Sequence, residues 1–444
     1  MNDHVLNKIN SKINSKIIPI IKNRHQIFID PELITFFQSI KNINAKISCL
    51  NYSSDNLSLP DNNDSVIFII RPNNKFLINN FVKQNDIVYL VPHETYFNHG
   101  INLKLYWLPV CNNVLSMELN HIFKDMVNDD YSSSPILVNA LLKLEKMYGC
   151  FKNITTLGKY SEIINKAMLQ KQSIHDKIGI VNLIIMDRTT DLITPFITQS
   201  TYQGLIDEFF EITGNRIKNE PNIILDNNSY IYQNIKYLNF SNVGYFLSNK
   251  CKNIKQYRKN ITKNSSIKEL KNMVKELPEI INQQNDVEIH IDLAEKILKK
   301  KLIISEQIEI EQYLLLGKKL NKCHDYIEEC INKHESFTKI FRLYLLYSHI
   351  QKNNSQLNDL NNNIINTYGY HYLLILNFFK KINLQKNPYL NYLNTNEPII
   401  IFFIGGCIYD EISMIKNICP HCIIVTTNIT NGNKLIENIN MYNI

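Results

Sequence analysis

Residues 178–186 read Ile-Gly-Ile-Val-Asn-Leu-Ile-Ile-Met and run straight into Asp187-Arg188-Thr-Thr-Asp191. The run is almost wholly apolar and only nine residues long. That is short for a helix and suits a strand buried on both faces, the central position of a parallel sheet. A second run of this kind, 399–404, ends in Gly405-Gly406. Between the two, from about residue 240 to 383, the apolar spacing is almost purely helical. Parallel strands tolerate long crossovers, so the late strand can complete the sheet begun by the early one. The helical stretch between them then emerges as a domain of its own.

Working outward, the first ~115 residues alternate strand candidates (26–29, 46–50, 65–70, 86–91, 103–110) with helical patterns such as 31–40 and 74–81. This alternation predicts a parallel sheet with helices on its faces. A helical connector follows at 135–147 and 160–169. After the 178–186 strand comes a helix at 201–210, then an irregular Asn-rich stretch at 214–240. Helices are predicted at 243–257, 267–277, 287–300, 309–316, 325–333, 336–350 and 370–381. A helix at 410–417 and a strand at 423–426 restore the α/β pattern. The fold class is therefore α/β: two parallel α/β domains, the second split, with an all-helical insertion. Its divisions are 1–117, 118–239 with 386–444, and 240–385 for the insertion.

The chain has 444 residues, 44% hydrophobic and 20% charged, ordinary values for globular domains. Sixty-three Asn against 12 Gly fit an AT-rich codon bias, so Asn carries no functional weight. A net charge of +7 is too dilute to argue for nucleic acid. The longest apolar run, 399–409, is half of the ~20 residues a spanning helix needs, and residues 1–16 have no signal-peptide core. Nine irregularly spaced cysteines read as reduced thiols of a cytosolic protein.

Four features could carry chemistry. Cys419-Pro-His-Cys422 follows a helix and leads into a strand, the reverse of a thiol pair activated at a helix N-terminus, so it reads as a structural connection. His93-Glu94 and His99 lack the second His of a zinc protease, since residue 97 is Phe. Gly405-Gly406 can form a tight turn or touch a phosphate. Asp187, Arg188 and Asp191, at the C-terminal end of a central strand, sit where α/β enzymes keep catalytic groups. With no nucleophile, phosphate loop or His beside them, Arg188 is expected to pair with a carboxylate and an Asp to cap the next turn. A rival reading remains, an enzyme binding a nucleotide or phosphorylated ligand near Gly405, Gly406 and Asp187. Separately, Lys252, Lys255 and Lys259 fall at i, i+3 and i+7 within a wider cluster that includes Lys271. Their stripe suits an acidic helical partner.

The segment 183–196, Leu-Ile-Ile-Met-Asp-Arg-Thr-Thr-Asp-Leu-Ile-Thr-Pro-Phe, followed by Thr-Tyr-Gln-Gly-Leu-Ile-Asp-Glu-Phe-Phe at 201–210, resembles the Sec/Munc (SM) family, and within it the class C tethering-complex branch. Further similar stretches are 115–119 (LSMEL), 144–149 (LEKMYG), 242–248 (NVGYFLS), 276–278 (ELP), 326–331 (YIEECI), 366–370 (NTYGY) and 402–406 (FFIGG). The resemblance covers about 65–440. It departs from the family after the last insertion helix, where only 385–397 stand in place of a longer stretch. It implies a three-domain arch and a non-enzymatic protein without cofactor or metal, a template on which SNARE helices align before zippering. It implies work within a HOPS- or CORVET-like tethering complex at endosomal or vacuolar/lysosomal membranes, which the protein touches only through partners. Leu277 and Pro278 would meet SNARE helices on a hairpin, Pro278 bending or ending its helix, and the basic cluster of Lys252, Lys255, Lys259 and Lys271 would then face acidic SNARE surfaces. Tyr370 and Leu373 would dock a vacuolar protein sorting-associated protein 16-like class C subunit. Asp187, Arg188, Asp191, Asp207, Gly405 and Gly406 match family positions read as structural.

Overall fold

The computed structural model describes residues 15, 19, 26–29, 46–49, 66–70, 86–89, 101–102, 105–171, 179–218, 220–227, 229–261, 267–351, 355–373, 376, 386–393 and 397–440. Side chains from 257 to 278 lie outside that description. The first sheet holds β1 (Gln26–Ile29), β2 (Lys46–Cys49), β3 (Val66–Ile70), β4 (Asp86–Tyr89) and β5 (Ile101–Asn102). They run parallel in the order β2-β1-β3-β4-β5. The helical patterns expected at 31–40 and 74–81, and His93, Glu94 and His99, lie outside the described residues.

The strand expected at 103–110 is a correction. β5 stops at Asn102, and β6 (Leu108–Cys111) turns through Asn112-Asn113 into β7 (Val114–Ser116). Asn113 takes φ 60 in that turn, a left-handed conformation that Asn tolerates. This hairpin joins the second sheet.

The second sheet has the order β6-β7-β14-β13-β9-β8, parallel except at the hairpin. Its strands are β8 (Phe151–Leu157), β9 (Val181–Asp187), β13 (Ile399–Ile404) and β14 (Ile423–Thr426). β9 and β13 pair in register from Asn182↔Ile399 to Asp187↔Ile404. The split sheet is thus present, with the insertion leaving after β9 and returning at β13. Alternate residues serve two cores. Leu183, Ile185, Ile400, Phe402 and Ile404 face α1 (Ile122–Val127), α2 (Ser134–Tyr148) and α3 (Lys159–Lys171). Ile184, Met186, Ile401 and Phe403 face the other side, with α5 (Tyr202–Phe210), α6 (Tyr230–Ile235) and α13 (Tyr409–Ile418). The short α4 (Ile193–Phe196) precedes α5. The stretch expected to be irregular, 214–240, carries part of a small antiparallel sheet of β10 (Ile212–Thr213), β11 (Arg216–Ile217) and β12 (Glu220–Ile224), and then α6.

The insertion comprises α7 (Phe240–Ile261), α8 (Ile267–Ile303), α9 (Ser305–Leu316), α10 (Leu320–Asn332), α11 (Phe337–Ile350) and α12 (Ser355–Tyr368). The last four share a core with α4 and the final helix α14 (Gly432–Asn440). α9 stops at Gly317, whose φ of 62 closes the helix in the left-handed region. Two helices expected at 267–277 and 287–300 are one. α8 runs 37 residues through Pro278, roughly 55 Å at 1.5 Å per residue, so Pro278 does not end it. Further along, Val287, Leu293 and Ile297 of α8 are buried in the same core as Leu205 and Ile231 of the α/β body. The helix expected at 370–381 begins as a 3-10 turn, Tyr370–Tyr372, and most of the remainder lies outside the described residues.

Candidate functional site

At the tips of β9 and β13 the polar groups are enclosed. Asp187 is 1% exposed and accepts the backbone N–H groups of Tyr160 (2.7 Å) and Ser161 (2.8 Å), which caps α3. A side chain on Gly158, at φ 118, would strike that carboxylate. Burial pushes the Asp187 carboxyl up to about 7 against those hydrogen bonds. Arg188 donates Nη1 to both oxygens of Glu411 (2.9 and 2.8 Å), and Nε and Nη2 to the carbonyl of Asp191 (2.9 and 2.6 Å). Burial works against the guanidinium, but the Glu411 and Asp191 carboxylates hold its pKa above the ordinary value. Asp191 accepts from the N–H and hydroxyl of Thr194 and the N–H of Asn387. Asp207 accepts from Ile212, Asn431 and Lys434.

Gly405 packs on Arg188 and Met126, and an added Cβ there would lie 2.9 Å from both. At Gly406, φ 110, it would lie 2.6 Å from Thr430. The residues of the nucleotide-binding alternative are therefore closed in by the chain itself. Among the described residues no three His, Cys, Asp or Glu side chains gather as a metal site. Cys419 ends α13 and is joined to Cys422 by a disulfide, a departure from the nine reduced thiols expected.

The insertion is fastened to the α/β body by a second buried ion cluster. Arg342 of α11 pairs with Glu208 of α5 and donates Nε to the Phe196 carbonyl (3.0 Å). Glu311 of α9, 1% exposed, accepts the N–H and hydroxyl of Thr198 (2.8 and 3.0 Å) and the amide of Gln307. Burial raises the Glu208 carboxyl pKa, with Arg342 opposing. Sequence reasoning missed Glu208, Glu311, Arg342 and Glu411. The one available signal was Arg342 inside the apolar helix Phe-Arg-Leu-Tyr-Leu-Leu.

A third joint seats α8. The His290 ring stacks on Tyr232 (centroids 5.5 Å, 5° between planes) and its Nδ1 lies 3.0 Å from the Tyr202 hydroxyl. Burial lowers its pKa from 6.5 to about 4. The folded chain thus binds this proton less well than the unfolded chain. His290's contribution is complete above pH 6.5 and is lost as pH falls toward 4. Asp187 works oppositely, since its raised carboxyl gains stability as pH falls from 7 to 3.8. His290→Phe keeps an aromatic stack without the proton. Its stability difference between pH 7.5 and 5 should shift by about 2 kcal/mol toward acid tolerance relative to wild type. Urea titrations at the two pH values read this, and identical pH responses would refute the assignment.

The outer surface differs. Lys252 and Lys255 are exposed on α7. Lys259 lies later in α7 and Lys271, Leu277 and Pro278 lie in α8, their side chains beyond the described set. A cleft of about 760 Å³ opens between the start of α7 and the end of α8, bordered by Leu298 and Leu302, 50% and 65% exposed. Just after α12, Tyr370 is 76% exposed and Leu373 38%. Gly369 (φ 110) ends α12 there, and Tyr372 stacks on Phe337 at 3.6 Å, so the turn is anchored while Tyr370 projects.

The sequence pattern of the Sec1 family matches residues 9–396. Among curated relatives, a vacuolar protein-sorting-associated protein 33 homolog of Arabidopsis thaliana is 28% identical over 306 residues, 64% of this chain and 51% of the relative. Vacuolar protein sorting-associated protein 33A of Rattus norvegicus is 28% identical over 313 residues, 63% and 52%. The chain spans about half the length of these relatives. Among solved structures, the SM protein Vps45 in complex with the Qa SNARE Tlg2 (1-310) superposes with a TM-score of 0.66 at 14% identity, covering 99% of this chain and 98% of that one. That likeness is one of fold.

Proposed function

Because the chain belongs to the Sec1 family, we propose that it is a SNARE-binding template for vesicle docking and fusion rather than an enzyme. The observation carrying this reading is the family match across residues 9–396, joined to a fold like that of an SM protein solved with a bound SNARE. The strand tips are filled by the chain's own ion pairs, while Lys252 and Lys255 stand exposed on the helical arm. Binding there has an ionic part: Lys252, Lys255 and Lys259 steer acidic faces of SNARE helices. Leu277 and Pro278 of α8 and the neighbouring Lys271 belong to the same arm and supply further contact.

We also propose that Tyr370 and Leu373 dock a class C subunit resembling vacuolar protein sorting-associated protein 16, within a HOPS- or CORVET-like assembly. The matching relatives bear the vacuolar sorting name, which supports work at endosomal or vacuolar/lysosomal membranes. Among the described residues no helix is long and apolar enough to cross a membrane, so membrane contact is assigned to partners.

Reversing Lys255 and Lys259 together to Glu is expected to weaken binding of an assembled SNARE bundle roughly tenfold at low salt. The wild type should lose a similar factor as salt rises past the range where the Debye length is ~10 Å. Titration calorimetry at two ionic strengths measures both. Affinity unmoved by charge reversal and by salt would remove the ionic part. No detectable bundle binding by the wild type would remove the template. Tyr370→Asp should reduce capture of the class C subunit about 30-fold or more, as at a central aromatic anchor. Full retention in co-purification would reassign that surface.

A further inference from the structure

A disulfide joins Cys419 to Cys422 where α13 turns into β14. Cys419 ends α13, its N–H donating to the Ile415 carbonyl (2.7 Å), and Cys422 stands directly before the strand. Pro420 and His421 between them are exposed, and the Cys422 N–H donates back to the Cys419 carbonyl (3.1 Å). This is a four-residue turn with proline at its second position, where the fixed φ of proline fits. The two Cα atoms lie 5.4 Å apart, inside the range a disulfide spans. The two residues differ in access. Cys419 is half-buried beside the exposed Ile418, whereas Cys422 is fully buried in the core under α13. α13 also carries Asp410, which accepts the N–H groups of Ser200 and Thr201 at the start of α5, and Glu411, the partner of Arg188. β14 pairs with β13 and β7. The bond therefore ties the helix that grips the start of α5 to the strand that brings the β6–β7 hairpin into the sheet.

We propose that this pair is a thiol–disulfide exchange site for small monothiols of the glutathione class, attacked at Cys419, and that exchange opens and closes the tie between α13 and β14. Access sets the direction. A monothiolate reaches the Cys419 sulfur and forms a mixed disulfide there. The S–S bond breaks, and its electron pair leaves on the Cys422 sulfur, which takes a proton. A second monothiol attacks the sulfur of the first, releasing the Cys419 thiol and a small disulfide. Two monothiols are oxidised and one protein disulfide is reduced; closure is the same sequence reversed. Accessible disulfides are the labile ones. The closed loop is only four residues, so the bond removes little chain entropy and adds little resistance to reduction. Position works the other way. A helix C-terminus carries negative partial charge, which disfavours a Cys419 thiolate. The open pair thus lacks the thiolate stabilisation that makes a Cys-x-x-Cys pair strongly oxidising. These opposing effects leave the pair responsive to the surrounding thiol ratio. With the bond open, Lys416 still donates Nζ to the Cys422 carbonyl (3.0 Å), so the turn loosens without unfolding the sheet.

The test equilibrates the full chain in glutathione buffers of graded reduced-to-oxidised ratio, quenches with acid, alkylates free thiols and maps each cysteine by mass spectrometry. Cys419 and Cys422 should become alkylated together as the ratio rises, with the free, half-buried Cys111, Cys150 and Cys251 as references. Cys422→Ser should collect glutathione on Cys419 about tenfold or more above what Cys419→Ser collects on Cys422. Amide hydrogen exchange across 415–424 should be about tenfold faster in the reduced protein, with β9 and β13 unchanged. A pair that stays oxidised in excess reduced glutathione until urea unfolds the chain overturns the proposal, leaving a fixed structural bond. A pair alkylated in every buffer overturns it as well. Equal trapping on the two cysteines removes the assignment of attack to Cys419. The wild-type titration decides the matter should either serine variant misfold.

Discussion

Arg188→Ala is expected to destabilise the second α/β unit by about 3–5 kcal/mol, the cost of leaving a buried charge without its partner. Arg188 is fully buried, and its guanidinium is the cation on Glu411, also fully buried. The same group satisfies the carbonyl of Asp191 and lies 3.4 Å from that of Gly406. Truncation strands all of these in the interior. Glu411, whose carboxyl is already raised by burial, would then take up a proton. The variant should therefore regain part of its loss as pH falls, because the folded state then binds that proton more tightly than the unfolded state. Replacing both partners, Arg188→Met with Glu411→Leu, should cost much less than the single change, since no charge remains to desolvate. Urea unfolding of the three variants at pH 7.5 and 5.5 supplies the comparison. A single-variant loss below about 1 kcal/mol would mean that the pair is not what holds β9 to α13.

Arg342→Ala should cost a similar amount but show it elsewhere. Arg342 spans the joint between insertion and body, holding Glu208 of α5 and the carbonyl of Phe196. Glu311, whose charge also acts on Arg342, grips Thr198 from α9. Without the guanidinium, two buried carboxylates share one site with no cation between them. Local opening should relieve this more cheaply than global unfolding. Hydrogen exchange should accelerate in α9, α11 and the 196–200 segment while β9 and β13 stay protected. SNARE-bundle affinity should fall as the arm loses its fixed angle, since a flexible template orders itself on binding. Uniform acceleration through the sheet would show that the joint is no separate unit.

The two variants mark where local pattern stops informing. The β9–β13 pair was legible because two short, almost wholly apolar runs, buried on both faces, leave few alternatives to central parallel strands. The motif from Asp187 to Phe196, joined to the Gly-Leu-Ile-Asp-Glu run, was legible as a family resemblance. β8, by contrast, is a half-buried edge strand, Phe-Lys-Asn-Ile-Thr-Thr-Leu, with Lys152 and Asn153 exposed side by side, and its polar residues hid it. α12 was obscured by its asparagines, although Leu357, Leu360 and Ile364 at i, i+3 and i+7 are its buried stripe. The site was less legible than the fold. Lys252 and Lys255 could be set on one face by arithmetic. That the start of α7 borders a cleft required α8 to be seen beside it.

By itself, then, the sequence determined the alternation of strand and helix, the split of the second sheet, the helical character of the insertion and the basic stripe of α7. Each follows from periodicity within a dozen residues, where side-chain direction is dictated by the backbone's own repeat. Only the tertiary structure decided that Glu411 neutralises Arg188 from 223 positions away. The same holds for Arg342 and Glu208, for α8 passing unbroken through Pro278, and for the hairpin of β6 and β7 joining the second sheet. A buried charge selects its partner by proximity in a medium that penalises every unpaired alternative. Proximity across two hundred residues is created by folding and has no local period.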